Sequence, residues 1–171
     1  MMRKPALIIV VSLFLAVLAC ADSKLSDQEK SNKVDAMYES YKSAFPEVKD
    51  ITAEQALKIS EQERILFVDV REEKEQAVSM LPNAVPHEQF LKNVKKYKDH
   101  KIIGYCTISY RSGVLAQQLS KQGVEMVNMR GGVLAWLHAG GKVYKEGKPV
   151  SQVHVYGGKW DLAPSAYETI Y

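Results

Sequence analysis

The most regular feature of the sequence is a series of short apolar runs separated by polar segments. Residues 65–70 and 101–106 are nearly continuous apolar runs, a pattern typical of strands that are buried on both faces of a parallel sheet. Residues 124–129 predict a third strand. A short alternating stretch at 153–156 follows in the C-terminal tail, which ends in several aromatic residues.

The segments between these strands predict helices. Thr52 and Gln55 form a capping-box pattern that predicts a helix to about Ser60. Residues 112–122 carry an apolar face and stop before Gly123, as a helix does. Further helical segments are predicted at 72–78, 87–98 and 132–139. Strands that alternate with helices indicate an α/β domain with a mainly parallel sheet.

Upstream of this domain the sequence changes from polar to amphipathic. Residues 21–33 are polar and lack a helical period, so they predict a flexible tether. Apolar positions then recur at helical spacing until Pro46, which predicts a short helix over the core; these positions are Val34, Met37, Tyr38, Tyr41 and Phe45. Within the domain, residues 81–86 contain two prolines and predict an irregular connection.

The N-terminus has the pattern of a signal peptide. Arg3 and Lys4 form a basic start, and an almost unbroken apolar run of 14 residues follows at 6–19. A helix of this length rises about 21 Å, which is less than the ~30 Å hydrocarbon core of a bilayer. A cleaved signal peptide over residues 1–19 is therefore favoured over a permanent transmembrane helix.

The signal ends in Val-Leu-Ala-Cys at residues 17–20, which resembles the lipobox of bacterial lipoproteins. In such proteins the cysteine is acylated and becomes the new N-terminus. We therefore expect lipidation at Cys20 and a membrane-anchored protein facing the periplasm or the cell exterior. Ala21 in place of Asp favours delivery to an outer membrane. Ordinary cleavage after Ala21 is the alternative, because the three residues ending there also fit the small-x-small rule.

The composition is ordinary for a globular protein. Apolar residues make up 46% and charged residues 25% of the chain, and the net charge of +3 falls close to neutral without the two basic residues of the signal. Nucleic-acid binding requires a concentrated basic surface, so no nucleic-acid partner is expected. We divide the chain into a signal peptide, a lipidated tether with a short helix, a core domain and a C-terminal extension, at residues 1–19, 20–50, 51–146 and 147–171.

Cys106 is the one thiol of the mature chain if Cys20 is acylated. It stands between a predicted strand and a predicted helix, where the catalytic loops of open α/β sheets lie. The N–H groups of such a loop, the helix N-terminus and Arg111 all favour negative charge, so they favour the nucleophilic thiolate over the thiol. The alternative is that Cys106 is a small buried hydrophobic residue.

Three segments between about Thr52 and Val143 together resemble the rhodanese family. Residues 67–72, Phe-Val-Asp-Val-Arg-Glu, are similar to the family's first central strand and the Asp-x-Arg that follows it. Residues 106–112 are similar to its active-site loop, in which an arginine follows the cysteine by five positions. Residues 131–140 are similar to its closing Gly-Gly-x-x-x-Trp signature and the glycine beyond it. The three segments stand in the family's order and at its spacing.

The resemblance implies an α/β rhodanese fold with a five-stranded parallel sheet flanked by helices. It also implies a sulfurtransferase that carries sulfur as a persulfide on Cys106, from a small sulfur-containing anion or persulfide donor to a thiol or cyanide acceptor. No metal or organic cofactor is implied. Asp69 and Arg71 are expected to hold the turn after their strand. The anion-binding loop would consist of Thr107, Ile108, Ser109, Tyr110 and Arg111.

The sequence departs from the family pattern at several positions. Ser109 stands where the family often has glycine, whose backbone is less restricted. Met80 replaces a histidine in the segment 79–85, and two glycines of that segment are absent. Thr107 and Ile108 add no second charge to the loop, so thiosulfate is expected to be a poor donor.

Two other functions are consistent with the same loop. Phosphatases and arsenate reductases use a similar cysteine loop, but related phosphatases have one more residue between cysteine and arginine than the four that separate Cys106 from Arg111. A catalytically weak module that binds or carries sulfur is the other alternative, and the departures at Ser109 and Met80 favour it.

Overall fold

The computed structural model describes residues 24–62 and 64–171, so the predicted signal peptide and Cys20 lie outside the described residues. Its α-helices are Asp27–Lys42 (α1), Ala53–Ile59 (α2), Glu73–Gln76 (α3), His87–Lys92 (α4), Tyr110–Ser120 (α5) and Gly132–His138 (α6). Its strands are Asp50–Ile51 (β1), Ile65–Asp69 (β2), Val85–Pro86 (β3), Lys101–Tyr105 (β4), Val127–Met129 (β5), Val143–Lys145 (β6), Lys148–Val150 (β7), Gln152–His154 (β8) and Glu168–Ile170 (β9). Within these ranges no helix is long and apolar enough to cross a membrane.

The central sheet of the described residues has the strand order β1-β5-β4-β2-β3, and all neighbouring strands are parallel. The longest pairing joins β2 to β4, from Ile65 opposite Lys101 to Asp69 opposite Tyr105. Both strands are buried beyond their first residue, as expected where helices cover both faces of a sheet. The predicted α/β fold with a five-stranded parallel sheet is confirmed among the described residues.

Apolar side chains fill the space on both faces of the sheet. Successive residues of a strand point to opposite faces, so Phe67 packs in the cluster that contains Trp136 of α6, whereas Leu66 packs in the cluster that contains Phe90 of α4. Phe67 and Trp136 meet edge to face, with 5.4 Å between ring centroids. The two layers fix α6 on one side of the sheet and α4 and α5 on the other.

The carboxyl ends of the parallel strands meet at one edge of the sheet. β4 is followed at once by Cys106, and β5 is followed by the Gly131–Gly132 turn into α6. The start of α6 bonds back to the cysteine loop: the N–H of Val133 donates to the Cys106 carbonyl at 2.9 Å, and that of Leu134 donates to the Thr107 carbonyl at 3.4 Å. The loop after β4 therefore rests on the first turn of a second helix.

Helix α1 is longer than the sequence pattern predicts. The predicted tether over 21–33 is wrong from Asp27 onward, where α1 begins. The hydroxyl of Ser26 accepts the N–H of Glu29, and the Glu29 carboxylate accepts the N–H of Ser26. This capping box satisfies two donors at the helix start and begins the helix without an apolar period.

Helix α1 is tied to the C-terminal extension. The Lys30 ammonium donates to the Ala163 carbonyl at 2.8 Å, and the Asp27 carboxylate accepts the N–H and the hydroxyl of Ser165 at 2.7 and 3.0 Å. The extension itself contains β7, which pairs with β6 of the core domain in an antiparallel hairpin, and the parallel pair β8–β9. These contacts hold the two ends of the described chain against each other.

Other boundaries also differ from the prediction. The segment 81–86 ends in β3, a two-residue strand at the edge of the sheet, where a proline costs no ladder hydrogen bond. The helix predicted over 87–98 is divided because Asn93, at φ −130° and ψ 24°, leaves the helical conformation between α4 and a 3₁₀ turn at 94–97. The third predicted strand begins at Val127 instead of Val124.

Replacing Gly132 with alanine should destabilise the protein strongly. Gly132 has φ +56°, and an added Cβ would lie 2.3 Å from the Cys106 carbonyl oxygen. We expect the free energy of unfolding to fall by about 3 kcal/mol or more, since the strain of a left-handed alanine, ~1–2 kcal/mol, is joined by overpacking against backbone. Urea unfolding measures this loss.

Gly140→Ala is the matched control. Gly140 also has a positive φ, +86°, but an added Cβ would meet no atom within 4 Å. We expect this variant to lose only the ~1–2 kcal/mol of backbone strain. Equal losses in the two variants would contradict the proposed clash between α6 and the cysteine loop.

Candidate active site

The loop that follows Cys106 contains a left-handed turn at Ser109. Cys106 is 2% exposed and forms no disulfide within the described residues. Ser109 has φ +80°, a conformation that costs a non-glycine residue ~1–2 kcal/mol. Its hydroxyl donates to the Met129 carbonyl at 2.5 Å, and its carbonyl accepts the side-chain amide of Asn128 at 3.2 Å. These two hydrogen bonds to β5 hold Ser109 in the left-handed conformation, at a position where the resembled family often has glycine.

The backbone of this loop presents unpaired hydrogen-bond donors. Among residues 24–62 and 64–171, no protein group accepts a hydrogen bond from the backbone N–H groups of residues 107–112. Successive free N–H groups at the start of a helix form a concave site for an anion and carry the positive end of the helix dipole. The loop can therefore stabilise a negatively charged sulfur atom.

Arg111 is held by a bidentate ion pair with Glu75. Two guanidinium nitrogens donate to the two carboxylate oxygens at 2.6 and 2.8 Å, and one of them also donates to the Thr107 hydroxyl at 3.2 Å. Burial by itself lowers the pKa of Arg111, but its hydrogen bonds with Glu75 and the negative charge of that carboxylate raise the pKa above its ordinary range. The guanidinium therefore stays charged.

Glu75 reaches the loop from α3 and is fully buried. Its carboxylate also accepts the N–H of Glu72 at 2.8 Å and the hydroxyl of Thr107 at 3.2 Å. Burial by itself raises the pKa of Glu75. The hydrogen bonds from Arg111 and Glu72 lower it by more, so the pKa lies below its ordinary value. The sequence analysis missed this residue, because no pattern separates Glu75 from exposed acidic neighbours such as Glu73.

Asp69 and Arg71 form a buried network at the end of β2. The Arg71 guanidinium donates to the two Asp69 carboxylate oxygens at 2.9 and 2.6 Å and to the Ser79 carbonyl at 2.6 Å. The Tyr105 hydroxyl donates to Asp69 at 2.6 Å, and burial raises the pKa of this tyrosine well above its ordinary value, so the hydroxyl keeps its proton. This geometry supports the predicted role of the pair in holding the turn.

A cavity of about 310 Å³ opens next to Cys106. Thr107 and Ile108 of the loop and Arg111 line it, and the Arg111 guanidinium carbon lies 5.3 Å from the ring centroid of Tyr156. Four aromatic side chains complete its walls: Tyr41, Tyr110, Tyr156 and Trp160. Three of them lie outside the predicted core domain, and the sequence analysis missed them because only tertiary packing brings them to the thiol.

Comparison with protein-family models matches residues 52–139 to the rhodanese-like domain. The chain belongs to the rhodanese-like domain family. The matched residues of this rhodanese-like protein begin with the cap of α2, end just after α6, and include Glu75, Cys106 and Arg111. Helix α1 and the C-terminal extension lie outside the match.

Two relatives of known name are similar to the core domain. YtwF of Bacillus subtilis strain 168 is described as a candidate sulfurtransferase. It is 36% identical over 95 residues, which cover 53% of this chain and 91% of the relative. The sulfurtransferase of Allochromatium vinosum is 31% identical over 87 residues, which cover 48% of this chain and 81% of the relative. Both names support a rhodanese-like protein of the sulfurtransferase family.

Solved structures share the fold. Thiosulfate sulfurtransferase from Pseudomonas aeruginosa aligns with a TM-score of 0.55 at 17% identity, over 67% of this chain and 23% of that chain. A Rhodopseudomonas palustris protein of unknown function, described as a candidate tyrosine phosphatase, aligns with a TM-score of 0.51 at 18% identity, over 71% of this chain and 96% of that chain. At these identities the likeness shows the fold alone.

Replacing Glu75 with glutamine should destabilise the protein at neutral pH and less so in acid. The Arg111 side chain is 27% exposed, so we expect a loss of about 2–3 kcal/mol, somewhat below the ~3–5 kcal/mol for a fully buried pair. The folded-state pKa of Glu75 lies below its unfolded value of about 4.3. Its stabilising contribution is therefore complete above the unfolded pKa and is lost as the pH falls through the folded pKa.

Urea unfolding of both proteins between about pH 7 and about pH 3 tests this dependence. The difference in unfolding free energy should hold at neutral pH and shrink towards the acid end. Glu73→Gln, on the exposed side of the same helix, should leave stability nearly unchanged throughout. A Glu75→Gln loss that is constant over the whole pH range would contradict the charged pair.

Proposed function

We propose that this protein is a sulfurtransferase in which Cys106 carries a sulfur atom, as a persulfide, from a donor to a thiol or cyanide acceptor. The observation that carries the proposal is that unpaired loop N–H groups and the Arg111 guanidinium line the same cavity as the buried Cys106 thiol. Membership of the rhodanese-like family and the names of the two relatives support the same chemistry.

In the first half-reaction, the Cys106 thiolate attacks the outer sulfur of the donor. A new S–S bond forms between Sγ and the outer sulfur, and the bond between the outer sulfur and the rest of the donor breaks. Its electron pair leaves with the donor, as sulfite from thiosulfate or as a thiolate from a persulfide. The step exchanges one bond to sulfur for another, so it requires no external oxidant or reductant.

The loop stabilises negative charge before and after this step. Free N–H groups of residues 107–111 and the guanidinium of Arg111 favour the attacking thiolate. The same donors then hold the terminal sulfur anion of the persulfide. Because Glu75 fixes the guanidinium by two hydrogen bonds, these donors are in position before a substrate binds.

In the second half-reaction, an acceptor thiolate or cyanide attacks the terminal sulfur of the persulfide. The S–S bond to Sγ breaks, and Cys106 leaves as the thiolate that begins the next cycle. Covalent catalysis of this kind divides one transfer into two steps. The product is a persulfide of the acceptor, or thiocyanate where the acceptor is cyanide.

Replacing Cys106 with serine should abolish sulfur transfer and leave the fold intact, since the change removes little volume. Exposure of the unaltered full chain to inorganic polysulfide should add about 32 Da, one sulfur atom on the reactive thiol, to its intact mass. The Cys106→Ser variant should gain nothing. Subsequent cyanide should remove the added mass and release thiocyanate.

Two outcomes would contradict this proposal. Absence of an adduct with every sulfane donor would favour a module that binds without turnover. Rapid hydrolysis of an aryl phosphate by the unaltered chain, abolished by Cys106→Ser, would favour a phosphatase. Matching unfolding curves for the two proteins control for loss of structure.

We further propose that the chain is exported and anchored by a lipid on Cys20. The support is the 14-residue apolar run at residues 6–19 and the lipobox-like residues 17–20, all of which lie outside the described residues. Cys20→Ser should shift the protein out of the membrane fraction or leave the precursor uncleaved. A soluble unaltered protein with a mature N-terminus at Asp22 would contradict the anchor.

A further inference from the structure

The cavity beside Cys106 has aromatic walls. Tyr41 and Tyr110 meet edge to face on one side, with ring centroids 5.4 Å apart, and Tyr156 and Trp160 form a second such pair at 5.2 Å. Tyr110 and Tyr156 are 46% and 56% exposed. Exposed aromatic rings grouped around a concave site are a feature of binding sites, because a ligand that covers them removes apolar surface from water.

Most of this wall lies outside the matched domain. Tyr41 belongs to α1, and Tyr156 and Trp160 belong to the C-terminal extension, so all three lie outside residues 52–139. The contacts of α1 with Ala163 and Ser165 hold the two appended segments together over the site. The appended segments therefore change what can reach the thiol.

Beyond the loop N–H groups and Arg111, the aromatic part of the cavity offers little to a second negative charge. Arg111 is the one charged side chain among its lining residues, and it shares its charge with the Glu75 carboxylate through two hydrogen bonds. The faces of aromatic rings carry negative potential. The loop N–H groups and Arg111 can hold one charge, but the second charge of thiosulfate would exchange its hydration for these ring faces, and a charge that loses its water without a partner is strongly disfavoured.

We infer that the aromatic wall selects a carbon-bound persulfide with an apolar body, R–S–SH, as the sulfur donor in preference to thiosulfate. This inference rests on the proposed sulfur transfer. The apolar group R packs against Tyr156 and Trp160, and polarisable sulfur makes favourable contacts with aromatic rings. A cavity of about 310 Å³ is large enough for a small organic molecule of this kind.

The transfer step balances without a further reactant. The Cys106 thiolate attacks the outer sulfur of R–S–SH, a bond forms between Sγ and that outer sulfur, and the S–S bond of the donor breaks. The electron pair leaves on R–S⁻, which takes up a proton from water. The loop N–H groups then hold the terminal sulfur of the Cys106 persulfide, while the released thiol departs from the aromatic wall.

The test compares the rates at which two donors add one sulfur to the full chain, followed by intact mass. The donors are benzyl persulfide, generated in situ, and thiosulfate. Tyr156→Ala combined with Trp160→Ala should slow loading from benzyl persulfide about tenfold or more, the effect of losing ring contact with an apolar ligand. Loading from thiosulfate should change by no more than about twofold. For each donor, the rate with the variant is divided by the rate with the unaltered chain. This ratio does not depend on the intrinsic reactivity of the donor.

Two further variants serve as controls for the loss of ring contact. Trp160→Phe retains an aromatic ring and should keep most of the benzyl persulfide rate. Tyr171→Ala removes an exposed tyrosine, 69% exposed, that lies in the same extension but does not line the cavity, and should change neither rate. If the double variant unfolds, Tyr156→Ala alone removes a side chain that is more than half exposed and serves in its place.

The possible failures are distinguishable. If neither donor adds sulfur to Cys106, the proposed sulfurtransferase function is wrong. If both donors add sulfur and the wall variants slow them equally, or slow neither, the function stands and the inferred selectivity is overturned.

Discussion

The ion pair between Glu75 and Arg111 is the interaction on which the geometry of the thiol site depends. A carboxylate buried as completely as that of Glu75 is stable only with partners, and Arg111, Thr107 and the N–H of Glu72 supply them. The pair thereby connects the short helix after β2 to the first turn of α5. It fixes both ends of the loop that surrounds Cys106, so the shape of the loop does not depend on a bound substrate.

The backbone conformations of Ser109 and Gly132 also fix the shape of the loop. Ser109 is held in a left-handed turn by β5, and Gly132 lets α6 approach the Cys106 carbonyl more closely than any side chain would permit. The result is a row of N–H groups with no acceptor in the described protein. The contacts that position them are part of the packing of the fold itself. The matched domain supplies the cysteine loop and Tyr110, and the appended segments supply the other three aromatic residues around it.

Much of this could be predicted from the sequence because the signals were local. The buried strands, the Thr52 cap and the strand–cysteine–helix order all arise from neighbouring residues. The two-residue strands β1 and β3 are too short to show a period, and the start of α1 depends on a capping box in a polar segment. The burial of Glu75 and the placement of Tyr41 and Trp160 at one cavity depend on tertiary packing, which no local pattern contains.

The central claim is that the loop after β4 holds a sulfur anion on Cys106. A crystal structure of the full chain, determined after treatment with a sulfane-sulfur donor, tests it most directly. The account predicts one additional sulfur atom bonded to Sγ, within hydrogen-bonding distance of the loop N–H groups, with Arg111 still paired to Glu75. An unmodified thiol, or a persulfide that points away from the loop N–H groups, would contradict it.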